Sequence, residues 1–535
     1  MNIIFCGGAR TVTGSFFVIE TDTCRFAVDC GLFQGKKEIA ERNYQPFRME
    51  PSSLDFLILT HAHIDHSGLI PKLCTQGFKG PIYCTYATTD LASIMLPDSG
   101  FIQENEVERK NRKLGRAGQP LLTPIYTVED AQRCLEQFES YPYDEVFCPA
   151  PGVNVRLRDA GHILGSAIVE IWVDEADQQT KLVFSGDLGN DGQRIIKDPA
   201  IIESADYLII ESTYGNRLHQ ANTSRMDQLL EAINLTREKG GNLVIPSFAV
   251  ERTQDLIYDL NLLNKQGKMP AGQKIFIDSP LAIAATEIFK RSDEFYDSDT
   301  RELLKKGNDP FRMPNLEFSR TREDSMKLNE LNTSNIIISA SGMCDAGRIK
   351  HHLKHNLHRP DSTILFVGYQ AAGTLGRRIL EGEKLVTIHG EKVAVKADIA
   401  QIDGYSAHAD QAGIMSWLKR FTTVPKKIFL VHGEEPSMMA LADLIEDEIK
   451  VPTEIPDWMD RVKLDHPARP RTKPGSNGDQ KAEEKAVMNE MALRAEEAYL
   501  EFRIKANRRF QEYWNAEEYE KIIEALSEAE KSLKK

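Results

Sequence analysis

The sequence predicts an α/β protein in which a strand-rich domain is interrupted by a second domain of alternating strands and helices. Three observations carry that expectation. Short apolar, strand-like runs fill residues 1–213 and return after 385. From 214 to 385 such runs alternate with helical stretches, the pattern of a parallel sheet covered on both faces. The chain is 535 residues long, and at roughly 150 residues per domain it must hold several units. The division expected is 1–213 and 386–466 for the two parts of the outer domain, 214–385 for the insertion, and 467–535 for a linker and a helical extension.

The elements follow in chain order. Residues 15–21 and 25–29 are β-branched and aromatic runs separated by Asp22-Thr23-Cys24, which suits a hairpin. The apolar run 54–60 is short enough for a buried strand. Residues 86–140 read mainly as helix, with Thr127 and Asp130 spaced as a capping box. Strand signals return at 153–158, 167–173, 181–186 and 207–212. Within the insertion, apolar runs end at Ser247, Ser279, Ser339 and Gly368, each followed by a helical stretch; 427–431 is the clearest strand after it. Residues 467–480 form a linker rich in Pro, Gly and Asn. Beyond it Met488, Met491, Ala495, Ala498, Phe502, Ala506, Phe510 and Tyr513 recur every three or four residues, one apolar stripe of a helix. Such helices either dock on the body or a protein partner, or extend into solvent.

Composition bounds the function. Apolar residues make up 41% and charged residues 27%, which excludes a disordered or fibrous chain. No apolar run approaches the ~20 residues of a membrane helix, and the first residues have no secretory pattern. Eight cysteines without a CxxC pair fit reduced thiols, so a cytoplasmic location is expected. The net charge of −14 excludes a global attraction for nucleic acid. Any polyanion must be held by local basic patches, helix N-termini or metal ions.

The strongest chemical signal is His61-Ala62-His63-Ile64-Asp65-His66, directly after the 54–60 run. With only 13 histidines in the chain, this density of imidazole and carboxylate is not a chance pattern. These are zinc-type ligands. In an extended loop, residues two apart project to one side, so His61 and His63 can share one ion while Asp65 and His66 face a second. Further ligands are sought at strand ends, where His162, Asp187 and His432 stand.

Together, Asp29, His61-x-His63-x-Asp65-His66, His162 and Asp187 resemble the successive motifs of the metallo-β-lactamase superfamily. Glu211, His408 in Ser406-Ala407-His408-Ala409-Asp410, and His432 resemble the added motifs of its β-CASP branch, which contains nucleases. The opening 8–15 resembles the endonuclease subunit of the mRNA cleavage and polyadenylation machinery and its prokaryotic relatives. The resemblance spans about residues 1–465. It implies an αββα sandwich with an inserted β-CASP domain, and two zinc ions in the cleft between them. It also implies that His61, His63 and His162 hold one ion, that Asp65, His66 and His432 hold the other, that Asp187 bridges them, and that Asp29 orients a ligand. Two such ions would acidify a shared water toward pKa 7, supplying hydroxide to attack a phosphodiester. His408 is then the general acid supported by Glu211, or else a further metal ligand.

For an acidic protein to hold RNA, the ends of the inserted strands are the expected place, because ligands bind beyond the carboxyl ends of open α/β sheets and helix N-termini favour phosphates. The candidates are Ser247, Arg252, Ser341, Gly342, Gly373, Thr374, Arg377 and Arg378, with Arg348 adding charge. His351, His352, His355 and His358 read as a solvated helix face near that cleft. The expected function is a zinc-dependent ribonuclease acting on single-stranded RNA, by internal or 5′-terminal cleavage, with a homodimer possible. The alternatives are a small-molecule metallo-hydrolase and an inactive RNA-binding scaffold.

Overall fold

The computed structural model describes residues 1–465, except 176–177, 220–223, 332–333 and 372, together with Lys521. The helical extension expected beyond 467 lies outside the described residues.

Two seven-stranded sheets face each other. The first runs, in spatial order, Arg461–Lys463, Asn2–Gly7, Phe16–Glu20, Arg25–Val28, Phe56–Ile58, Ile82–Thr85 and Phe138–Tyr141. It is antiparallel up to Arg25–Val28 and parallel beyond. The hairpin expected around Cys24 forms, with the backbone N–H of Cys24 donating to Thr21 Oγ1 at 2.9 Å. The second sheet runs Thr453–Glu454, Lys427–Val431, Tyr207–Glu211, Gln178–Phe184, Ala167–Glu175, Val153–Asp159 and Val146–Ala150.

Alternate residues of each strand meet in the middle, as the two-residue period of a strand requires. Phe5, Phe17, Phe26 and Phe56 of the first sheet pack with Leu157, Phe184, Ile209 and Phe429 of the second. Phe17 and Phe184 lie 5.7 Å apart between ring centroids, and Phe5 and Phe429 lie 5.3 Å apart. The outer face of the second sheet is covered by the helices Gln411–Leu418 and Glu435–Glu448 through Trp417, Leu418, Met438 and Leu441. The first sheet is covered by Ile70–Thr75 and by Tyr86–Arg116 through Leu73, Leu91 and Leu96. The layering is therefore αββα. The capping box at Thr127 and Asp130 forms, with both reciprocal hydrogen bonds present.

A third, all-parallel sheet orders Leu316–Phe318, Lys274–Ile277, Asn335–Ser339, Leu243–Pro246, Thr363–Phe366 and Asp398–Gln401. Its last strand lies past residue 385, so the chain returns to the sandwich later than the strand-like runs after 385 suggest. Among the described residues, the runs Leu385–Ile388 and Glu391–Ala394 pair with each other alone, as a separate hairpin. Among the described residues, no helix is long and apolar enough to cross a membrane.

Candidate metal centre

Each principal site residue stands at the C-terminal end of a sandwich strand or in the loop after it. Asp29 follows Arg25–Val28, His61 follows Phe56–Ile58, and His162 follows Val153–Asp159. Asp187 follows Gln178–Phe184, Glu211 ends Tyr207–Glu211, and His432 follows Lys427–Val431. His63 precedes a single helical turn, Ile64–Ser67, which carries Asp65 and His66. Strand order thus gathers residues as far apart in the chain as Asp29 and His432 along one edge of the sandwich.

Two donor sets result. One ligand atom from each of His61, His63, His162 and Asp187 lies within 4.8 Å of the others, and the same holds for Asp65, His66 and His432. Asp187 joins the sets: Oδ2 is 3.5 Å from His61 Nε2 and 3.6 Å from His162 Nε2, while Oδ1 is 3.2 Å from His66 Nε2 and 3.5 Å from His432 Nδ1. His63 Nδ1 is 3.2 Å from both His61 Nε2 and His162 Nε2. Imidazole lone pairs aimed at one point repel unless a cation lies between them. His66 Nε2, His432 Nε2 and Asp187 Oδ1 are buried without a hydrogen-bond partner, a costly state in a dry interior. These donors fit divalent ions of the zinc class in number and type.

The titration directions agree in the first donor set; in the second, burial would lower His66, but Asp187 and Asp29 raise it well above the usual imidazole range. Burial pushes His61 and His162 well below the usual imidazole range and His63 down to about 4, which keeps them in the neutral, ligating form. Burial alone would raise Asp187, but His432, His66 and His61 hold it well below the carboxylate range.

The surrounding bonds fix these ligands. Asp29 Oδ2 accepts from His66 Nδ1 at 2.7 Å and from the Thr60 hydroxyl at 2.9 Å, and Oδ1 accepts the Thr60 backbone N–H at 2.8 Å. Asp29 holds a left-handed φ of 60° and His432 one of 48°, conformations costly for L residues and retained where function needs them. The His432 N–H donates to the Gly8 carbonyl at 2.7 Å, which ties the glycine-rich opening to the site.

His408 Nδ1 lies 3.1 Å from both oxygens of Glu211. Glu211 is buried, and its Oε1 also accepts the Leu188 N–H at 2.6 Å. The His408 side chain is 21% exposed, more open than His61, His66, His162 or His432. Burial would lower its pKa, but Glu211 and Asp187 raise it to about 9. Asp187, Glu211 and His408 also lie within ligand spacing of one another.

Two residues here escape sequence reasoning. Asn190 donates to the His408 carbonyl at 2.7 Å and to the Ser406 carbonyl at 3.2 Å, and His219 Nε2 lies 3.0 Å from the His408 carbonyl. Asn190, three residues after Asp187 in the same loop, was the only one with a local signal.

On the third sheet, the expected substrate residues gather at the strand ends. Ser247 is buried and accepts from the Thr253 hydroxyl at 3.1 Å. Gly342 packs on Phe248, whose ring lies 2.9 Å from where a Cβ would stand, and its carbonyl accepts from Gln370 at 2.9 Å. Ser341 N–H donates to the Ala346 carbonyl at 3.3 Å. Thr374 caps the helix Leu375–Leu380, next to Gly373 at φ 87°. Arg377 and Arg378 pair with Glu381 at 2.7 Å and Glu383 at 2.6 Å. Arg252 is buried and donates to the Val367 carbonyl. Arg348 donates to Asp278 at 2.6 Å and to the Ser319 carbonyl at 2.9 Å, so its charge is engaged within the fold. The reading of a wholly solvated histidine face is corrected: His352 is fully buried, with Nε2 2.6 Å from Asp278.

An αββα sandwich with histidines and aspartates at one edge defines a metal-dependent hydrolase of the metallo-β-lactamase superfamily. The profile of that superfamily matches residues 9–127, a Beta-Casp domain profile matches 253–379, and a "Zn-dependent metallo-hydrolase RNA specificity domain" matches 392–456. The chain is 35% identical over 445 residues to Ribonuclease TTHA0252 of Thermus thermophilus, covering 83% of this chain and 96% of that protein. It is 30% identical over 473 residues to the Transcription termination factor FttA of Methanosarcina mazei, covering 86% and 71%. It is 29% identical over 474 residues to FttA of Methanocaldococcus jannaschii, covering 87% and 72%. The chain belongs to the β-CASP family of metallo-β-lactamase hydrolases.

Proposed function

We propose that this protein is a two-zinc ribonuclease that hydrolyses phosphodiester bonds of single-stranded RNA. The observation that carries the reading is the position of Asp187, whose two oxygens face two separate donor sets. His61, His63, His162 and Asp187 would hold one ion, and Asp187, Asp65, His66 and His432 the other. The RNA specificity profile and the ribonuclease relative support the choice of substrate. A scaffold without activity fits poorly, since every expected ligand is present. The outer domain is taken to combine the first two sheets, and the third sheet to form the insertion that covers the substrate.

Bound divalent ions supply Lewis acidity, which acidifies a water and offsets phosphodiester charge. The protein supplies orientation and protons. Asp29 fixes the ring of His66 through Nδ1, leaving Nε2 toward Asp187. Glu211 holds the Nδ1 side of His408, so that the opposite nitrogen can donate a proton to the leaving oxygen. The backbone of that histidine is fixed by Asn190.

The test combines metal analysis of the purified chain with incubation of the zinc-loaded protein on 5′-labelled RNA, single-stranded DNA and nitrocefin. Two zinc ions per chain and cleavage of RNA are expected, with the product ladder distinguishing internal from end-wise attack. One ion or none, or turnover of nitrocefin alone, overturns the reading.

A further inference from the structure

Apart from the metal centre, two guanidinium groups share one indole. Arg42 Cζ lies 4.1 Å from the Trp458 ring centroid and Arg48 Cζ lies 4.6 Å from it. Arg42 also lies 5.5 Å over Phe33. Each cation gains from the ring face, but two like charges over one ring repel. Among the described residues, no carboxylate pairs with either arginine, although this chain carries a net charge of −14. The nearby carboxylates of Asp457 and Glu435 are engaged by Arg10 instead. Partial burial and the neighbouring Arg48 lower the pKa of Arg42, the signature of a cation short of counter-charge.

The arrangement is held from behind. Asn43 is buried and bonds both ways with the Phe33 backbone, accepting its N–H at 2.8 Å and donating to its carbonyl at 2.7 Å. The buried Lys72 ammonium donates to the carbonyls of Asn43 at 2.7 Å and Gln45 at 2.6 Å, which fixes the arginine-bearing loop. Trp458 Nε1–H donates to the Cys6 carbonyl at 2.9 Å. Both supports run into the metal centre. The segment before Phe33 bonds to the ligand turn, Leu32 N–H to Ile64 at 2.8 Å and Cys30 N–H to His66 at 2.8 Å. The strand of Cys6 ends at Gly7, beside Gly8, the acceptor of the His432 N–H.

We propose that Arg42, Trp458 and Arg48 form a second binding platform that takes the phosphodiester backbone of an RNA strand extending from the metal centre. This rests on the ribonuclease reading above. Guanidinium forks match phosphate oxygens in pairs, and the shared indole holds the two forks side by side. An anion bound there supplies the missing counter-charge. The direct tethers to the ligand turn and to His432 favour a polymer already engaged at the cleavage site over an unrelated acidic peptide.

The test uses the full-length, zinc-loaded chain, with Arg48→Gln and Arg42→Gln/Arg48→Gln variants. Arg48 is exposed and, among the described residues, has no side-chain hydrogen bond or ion pair, so its single variant keeps the proposal testable if the double variant melts early. Fluorescence anisotropy is recorded with a labelled phosphorothioate RNA of roughly 20 nucleotides, longer than a typical single-strand site, and with polyglutamate, over a range of salt. Losing two phosphate contacts should lower the slope of log K against log salt by about 1.4, and losing one by about 0.7, with the double variant about tenfold weaker at physiological salt. An unchanged slope in both variants, while the wild type binds RNA, overturns the platform alone. Polyglutamate binding lost in parallel with RNA binding assigns the pair to acidic ligands in general and overturns it too. A wild type with no affinity for RNA overturns the ribonuclease reading and the platform together.

Discussion

The carboxylate of Glu251 accepts the backbone N–H of Leu164 at 3.0 Å, joining the third sheet's layer to the loop that carries His162. Glu251 is buried and stands at φ 64° immediately before the helix Arg252–Lys265. Burial, and then the neighbouring Asp255, raises its carboxyl well above the usual range. The cost of that desolvation and of the left-handed backbone is retained for a bond that fixes a ligand loop. Glu251→Ala leaves the Leu164 N–H unpaired in the interior and should cost about 1–3 kcal/mol. Calorimetry should show a lower melting temperature, and elemental analysis a partial loss of zinc. Glu251→Gln keeps an acceptor and should keep both properties. If Glu251→Ala melts and binds metal like the wild type, the bond does not position the loop.

His408 is held on one side only. With Nδ1 against both oxygens of Glu211, it is placed to donate a proton from the other nitrogen. His408→Ala should lower turnover by about 10²–10⁴-fold while the metal content of the purified protein stays unchanged. The spacing of Asp187, Glu211 and His408 also permits a ligand role. A loss of one zinc equivalent in this variant would assign that role instead.

The candidate ligands stand out in the sequence because their signal is local or positional. His61, His63, Asp65 and His66 share six residues, and His162, Asp187 and His432 follow apolar strand runs. Residues that act through the backbone of distant loops leave no such pattern. Asn190 reaches across 218 positions to His408, and Glu251 across 87 to Leu164. Helical spacing placed His352 on a face with other histidines, but only its partner Asp278, 74 positions away, reveals that it is buried. Arg252 misled for a related reason: a charge at a strand end suggests a surface, whereas its guanidinium satisfies a carbonyl in the adjacent loop. The last parallel strand, Asp398–Gln401, is four residues long and only partly buried, too short for apolar periodicity to assign it.

Asp29 fixes the imidazole of one candidate metal ligand, His66. Its Oδ2 accepts from both His66 and Thr60, so an amide there would turn N–H groups toward two donors. Asp29→Asn should weaken zinc binding at the His66 set by about 10–100-fold, since it disrupts the orienting bond. Titration with a chelating dye should show one tight and one weakened equivalent. Two tight equivalents would mean that the ring is held well enough by its own helical turn.

Asp159 gives a pH dependence with a definite sign. Its Oδ1 accepts the Gly161 N–H at 2.9 Å, just before His162. Burial first, then Asp144 and Asp198, raise its pKa from 3.8 to about 7, against the opposing pull of the Gly161 hydrogen bond and of Lys197. Between about pH 4 and 7 the folded state therefore holds a proton that the unfolded chain has released. The unfolded state binds fewer protons in that window, so stability must fall as pH rises through it. The displacement corresponds to at most about 4 kcal/mol, less in practice because the side chain is partly exposed. Asp159→Asn keeps the acceptor for Gly161 and removes the titration. The variant's melting temperature should gain on the wild type as pH rises from about 4 to 7, and the difference should level off above that. Parallel melting curves across this range would show that Asp159 is not held protonated in the folded protein.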